Sequence, residues 1–172
     1  DHGDMFGDHG VMLKGAMHYE GCTRVPLLIN VPGKRAGRCN ALVGSIDLAA
    51  TALSLAGVPK YQGMHSRDLS SLLDTPDQAG RDAVLIEEDQ VHDMVRSGRS
   101  LRMRIVVTPT ARLTLYDGIE HGELFERSLD PDEMNNLFGL ASAAALQAEL
   151  TEQLAREMMA HSDLSPRPTA FA

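Results

Sequence analysis

Two Asp-His-Gly triplets, at residues 1–3 and 8–10, stand within the first ten residues, and one lysine, Lys14, follows them in the run "VMLKG". A carboxylate oxygen and an imidazole nitrogen are ordinary ligands for a divalent cation. An ammonium group is a compact charge suited to neutralising an oxyanion. Together these residue types suggest a cation and an anion bound side by side. Adjacent Asp1 and His2 can reach one ion only if the backbone is tightly turned, which Gly3 permits. The same triplet is also the composition of a plain turn, and Lys14 alone is the composition of a solvated surface residue. A calcium EF-hand is excluded, because its twelfth position needs a bidentate Glu and the twelfth residue counted from Asp1 is Met12. Asp8 can cap a turn, and His9 and His18 can serve as ligands, acids or surface residues. Glu20 and Arg24 are four apart and are expected to pair as a structural support. His65, His92, His121 and His161 have no neighbouring ligand pattern.

Such residues need a scaffold. Residues 1–24 are Gly-rich and polar, and read as a loop that presents side chains. "VPLLINVPG" (25–33) has a short apolar centre bounded by prolines, which suits a buried strand. "KRAGRCN" (34–40) is a basic loop. "SIDLAATALSLAG" (45–57) reads as a helix capped by Ser45, with Asp47 at its positive end and Gly57 as a left-handed stop. It is apolar nearly all round, so burial on more than one side is expected. A short helix follows within 63–74, and "TPDQAGR" (75–81) marks a boundary.

Beyond that boundary the pattern changes. Residues 83–88, 101–107, 112–117 and 123–127 read as strands, with "RMRIV" alternating as a sheet with one wet face should. Short gaps between the later strands favour antiparallel neighbours. "DPDE" (130–133) is a helix-start signal, with Asp130 as cap and Glu133 reaching back. A last helix spans roughly 141–160, carrying Leu146, Leu150, Leu154 and Met158 on one stripe, and 165–172 is a tail. The expected fold is the end of an α/β domain (1–74) followed by a small α+β subdomain (75–172), an antiparallel sheet covered by a C-terminal helix.

Bulk properties narrow the function classes. Sixteen basic against 24 acidic residues give a net charge of −8, which argues against a nucleic-acid or membrane-surface role. No apolar run approaches the roughly 18 residues of a membrane span. Aromatic content is 4% with no Trp, so aliphatics and nine Met must pack the core. Cys22 and Cys39 are too few for a disulfide framework, and two unpaired buried thiols are expected over one bridge. The chain starts inside a motif rather than at Met, which suggests a fragment or a processed product with any targeting signal upstream. With no visible signal and two cysteines, the compartment leans to the cytoplasm.

The run "DHGDMFGDHGVMLKGAMHYEGCTRVPLLINVPG" resembles the C-terminal metal loop of the sulfatase family, within the alkaline phosphatase-like superfamily. The resemblance rests on Asp1-His2-Gly3, Lys14-Gly15, Tyr19-Glu20-Gly21 and Arg24-Val25-Pro26 in that order. It continues in 42–59, where Ala50 stands at a position at which the family commonly has proline, in 63–73, and in "ELFERSLDPDEMNNL" (123–137). Four blocks in the right order cover most of the chain. The resemblance implies the C-terminal portion of a type I, formylglycine-dependent, arylsulfatase-like sulfuric ester hydrolase.

It implies further that Asp1 and His2 are two ligands of a single divalent cation, calcium first, with magnesium, manganese or zinc open. Lys14 would contact the ester's non-bridging oxygens, with Asp8, His9, His18, Glu20 and Arg24 around the site. The Asp-His pair also resembles phosphonate monoester hydrolases and related phosphodiesterases, so sulfur or phosphorus stays open as the central atom. The family's nucleophile is a formylglycine made from Cys within Cys-x-Pro-x-Arg or Cys-x-Ala-x-Arg. Cys22 begins Cys-Thr-Arg-Val-Pro, and Cys39 begins Cys-Asn-Ala-Leu-Val with Val43 where Arg is required. Neither cysteine qualifies, so the chain carries half a metal site and no nucleophile, and alone it is expected to be inactive. The expected partners are a sulfate ester substrate and the missing N-terminal part of the same protein, with a homo-oligomer open. A rival from another class is a non-catalytic module that binds a cation or packs on a partner.

Overall fold

The chain is described by a computed structural model over residues 2–14, 17–89, 98 and 100–163. Asp1, Gly15, His92 and the tail 165–172 lie outside the described residues. The second half forms a four-stranded meander: β1 (Val84–Asp89), β2 (Arg102–Val107), β3 (Ala111–Tyr116) and β4 (Gly122–Glu126), in the order β1-β2-β3-β4. All three pairings are antiparallel, with Val84 opposite Val107, Met103 opposite Tyr116 and Leu113 opposite Leu124. The four expected strands and their antiparallel pairing are therefore present.

Alternation along each strand separates two faces. One carries Val106, Ala111, Leu113 and Leu124, all buried, and receives Leu150 and Leu154 from the C-terminal helix. In chain order the helices are α1 (Glu20–Thr23), α2 (Asp47–Leu55), α3 (Ser70–Asp74) and α4 (Ala144–Ala160), the last of which covers the sheet. The expected stripe on α4 is present at Leu150 and Leu154, whereas Met158 is exposed. Each fully buried aliphatic side chain contributes about 1.5–3 kcal/mol by leaving water. The opposite face carries Met103 and Ile105 with Ile86, Val107 and Tyr116, and farther along it Arg112 and Glu123. This second face receives the N-terminal segment around residues 18–20.

Several local expectations fail for physical reasons. Residues 24–30 form no strand: no strand pairs with them among the described residues, and Leu28 is 89% exposed. A strand's backbone groups need partners, and a short apolar run cannot supply its own. Helix α2 stops at Gly57 (φ 70°) as expected, but Ser45 makes no side-chain cap and only Asp47, Ala50 and Thr51 are buried. Its other flank, including Leu48 and Leu55, is exposed, so burial is one-sided. The helix expected at 130–133 does not form. Asp130 does cap the backbone N–H groups of Met134 and Asn135, at 3.1 and 2.7 Å, but Glu133 has φ 54°, which turns the chain out of a helix. Both cysteines are free; Cys22 is buried as expected and Cys39 is exposed, contrary to expectation. Among the described residues no helix is long and apolar enough to cross a membrane.

Candidate anion-contact loop and its support

The loop that carries Lys14 folds back on itself. Phe6 N–H donates to Met12 carbonyl (3.1 Å) and Gly7 N–H to Val11 carbonyl (2.9 Å), closing a tip over the single turn Asp8–Gly10. Phe6 (φ 48°) and His9 (φ 51°) both sit in left-handed backbone, which non-glycine residues rarely adopt. The base of the loop is tied twice. Gly3 N–H donates to Cys22 carbonyl at 2.8 Å, and the Lys14 N–H donates to Asp4 Oδ1 at 2.9 Å. Met5, 1% exposed, fills the space beneath. Gly3 matters here for a reason other than the tight turn expected of it: a Cβ at that position would run into the Gly21 carbonyl.

Asp1 lies outside the described residues, and the other residues singled out by sequence each have a definite place. His2 is exposed, with Nδ1 2.8 Å from Gly3 carbonyl. Lys14 is exposed, and its ammonium acts on the buried Cys22 thiol, pulling against the rise in pKa that burial causes. His2, Asp4, Lys14 and Cys22 thus share one neighbourhood through the two backbone ties. Asp8 lies against Gly21, its Oδ2 3.1 Å from where a Cβ would stand. His9 stacks on Tyr19, with ring centroids 3.8 Å apart and planes 7° from parallel. His18 turns instead to the sheet, with Nε2 3.4 Å from Glu88 on β1. Glu20 and Arg24 do pair, at 2.6 Å, but Glu20 also binds Arg127 beyond β4.

The supports that sequence reasoning missed lie on the second face of the sheet. Arg112 is buried on β3, donates to the His18 carbonyl, and lies 3.3 Å from Glu133 and 3.6 Å from Glu123. Its guanidinium carbon stands 5.0 Å from the Tyr19 ring and 5.2 Å from that of Phe125, a cation–π placement. Glu123 accepts from the hydroxyls of Tyr19 (2.7 Å) and Tyr116 (2.9 Å). Glu133 accepts the Glu20 backbone N–H at 2.9 Å. Burial pushes both tyrosine hydroxyls well above their ordinary pKa, with Glu123 adding to the rise, so they remain donors. Burial also works to raise Glu20, but hydrogen bonds from Arg127 and Arg24 outweigh it and hold the carboxylate below its usual range. At Glu133 burial prevails over the pull of Arg112, and its pKa is raised. The only signals for this cluster in sequence were the Tyr-Glu-Gly run and an arginine sharing a strand face with Thr114 and Tyr116.

Among the described residues no group of three or more His, Cys, Asp or Glu side chains converges as a metal site. The described donors therefore do not fit a divalent cation by themselves, since His2 supplies a single imidazole. What the described arrangement does is fix the backbone of Lys14 at the base of a doubly tied loop, with its side chain exposed.

Comparison with known proteins identifies the family. A family model for N-sulphoglucosamine sulphohydrolase, C-terminal, matches residues 7–160. The chain is 29% identical over 169 residues to an N-acetylglucosamine-6-O-sulfatase of Bacteroides thetaiotaomicron, covering 96% of this chain and 30% of that protein. It is 30% identical over 145 residues to arylsulfatase K of Gallus gallus, covering 80% of this chain and 26% of that protein. A protein solved in complex with its substrate D-glucosamine-2-N,6-O-disulfate superposes with a TM-score of 0.82 at 27% identity, over 98% of this chain and 35% of that one. A phosphonate monoester hydrolase of Agrobacterium radiobacter, TM-score 0.80 at 21% identity over 99% of this chain and 36% of that one, shares the fold. The chain thus spans about 30% of the length of the curated relatives it matches. On the family match over residues 7–160, the chain belongs to the sulfatase family, as a C-terminal part of its alkaline phosphatase-like fold.

Proposed function

We propose that this chain is the C-terminal part of a sulfuric ester hydrolase, and that Lys14 contacts the anionic oxygens of the ester. The observation that carries this reading is the double tie at the base of the loop, which fixes the backbone of His2–Gly3 and Lys14 around Cys22 in a chain matched over 96% of its length by a sulfatase. In this reading residues 1–74 complete the catalytic α/β part, and 75–172 form the sheet-and-helix subdomain that braces the loop. A fixed ammonium stabilises charge that develops on the ester oxygens as the bond to the leaving group breaks. The loop's donors, Asp1 and His2, would hold a divalent cation, calcium first, only together with ligands from outside this chain. Such an ion supplies electrostatic polarisation of the ester. The phosphonate hydrolases share the fold at identities that do not bear on chemistry, whereas the relatives matched by sequence are sulfatases.

The test is to express the whole reading frame that encodes this chain and compare sulfate and phosphonate versions of one aryl ester. The sulfate ester is expected to be hydrolysed with the higher kcat/KM. A phosphonate preference would move the protein to the other branch of the superfamily, and hydrolysis of neither would favour a non-catalytic module.

A further inference from the structure

Tyr19 sits where the sheet, α1 and the loop tip meet. Its hydroxyl donates to Glu123 on β4, and its ring lies against the Arg112 guanidinium and edge-on to Phe125 at 6.1 Å. Its carbonyl accepts the N–H groups of Cys22 and Thr23, at 2.9 and 3.0 Å, which starts α1. Cys22 in turn accepts from Gly3 at the base of the loop. The open face of the Tyr19 ring carries His9, stacked nearly parallel at 3.8 Å. His9 itself holds left-handed backbone, a conformation that persists only where the surroundings over-determine it.

We propose that Tyr19 is a positioning residue for the loop of residues 6–14: its side chain carries the placement of the sheet to the loop tip through His9, without touching substrate. The proposal deepens the reading of Lys14 as the anion contact and rests on it. Two attachments of one side chain make the proposal separable. The ring makes the His9 stack, and the hydroxyl makes the Glu123 bond. Removing the hydroxyl alone leaves the ring packed between Arg112 and His9, whereas removing the ring frees the tip.

The experiment compares Tyr19→Phe and Tyr19→Leu in the 172-residue chain by amide hydrogen exchange, read by NMR. In Tyr19→Leu the Phe6, Gly7 and Val11 amides are expected to exchange about tenfold faster or more, with Ile105 and Leu113 in the sheet unchanged. In Tyr19→Phe the loop amides are expected to stay near the original rates. The His9 ring protons are expected to show an upfield ring-current shift in the unsubstituted chain and in Tyr19→Phe, lost in Tyr19→Leu. In the active protein, Tyr19→Leu is expected to lower kcat by about 10–100-fold, with KM changing far less, because misplacement of a catalytic group costs rate. Loop amides that exchange at the original rate in Tyr19→Leu would overturn the proposal. So would loop and sheet amides that accelerate together, which would make Tyr19 an ordinary packing residue. Failure of the hydrolase reading would look different: the unsubstituted protein would hydrolyse no sulfate ester, while the exchange pattern would still show Tyr19 holding the loop.

Discussion

Asp47 and Arg81 show how much a single buried pair decides. Arg81 binds both carboxylate oxygens of Asp47, and Gly44 and Arg67 backbone N–H groups complete the acceptor set at 3.0 and 2.7 Å. Both residues are buried. Burial works to raise the Asp47 pKa, but these hydrogen bonds hold it below the ordinary aspartate value of 3.8. A depressed carboxylate contributes stability that is present above its unfolded pKa and lost as pH falls through the lower folded value. Arg81→Met is therefore expected to cost about 3–5 kcal/mol at neutral pH, because it leaves a buried carboxylate unpaired. That cost should shrink as the pH is taken below about 4, where the unfolded carboxylate already binds a proton. Urea unfolding at pH 7 and pH 3 checks both statements, and equal losses at the two values would contradict the account. Sequence showed Asp47 only as a charge suited to a helix start, because its partner lies 34 positions away. The same limit hid Arg112 behind Tyr19, while the local pair Glu20–Arg24 was legible from its spacing. Asp4, which ties the Lys14 backbone, was passed over for the same reason: its role is set by the loop's closure and not by its neighbours.

The strands were legible because their information is local. Residues 101–107 and 112–117 alternate, the connections are short, and antiparallel neighbours follow from both. α4 was legible from its spacing, and its stripe predicts where it sits: Leu150 and Leu154 are each 3% exposed against the sheet. Leu150→Ala is expected to lower stability by about 2–5 kcal/mol through lost burial and the cavity left behind. Chemical denaturation checks this, and a loss below about 1 kcal/mol would show that α4 contributes little to the sheet. The strand expected at 25–33 and the many-sided burial expected of α2 failed because apolar patterning describes faces whose partners are absent from the described residues, although helix α2 itself is present. Apolar composition says that a segment is to be covered, not by what. The 130–133 turn failed for a different reason. Its cap signal is real, but Glu133 is drawn into the buried cluster with Arg112 and Arg127, which outweighs the local helix start.

Taken together, the two faces of one sheet divide the labour of the chain. α4 closes one face, and residues 18–20 with their loop occupy the other. The chain covers 26–36% of the relatives and structures named above, and Leu27, Leu28, Ile46, Leu48 and Leu55 on its N-terminal half are each exposed. Exposed apolar surface, where it is contiguous, normally marks an interaction site. In the proposed hydrolase it meets the rest of the α/β part, so the 172-residue chain is expected to show no turnover of p-nitrophenyl sulfate. The most direct measurement is made on Lys14 in the active protein. Lys14→Ala is expected to lower kcat/KM for the sulfate ester by about 100–1000-fold, the usual effect of removing one oxyanion contact, with thermal unfolding unchanged for an exposed side chain. Activity within twofold of the unsubstituted protein would contradict the assignment of Lys14 as the group that faces the ester.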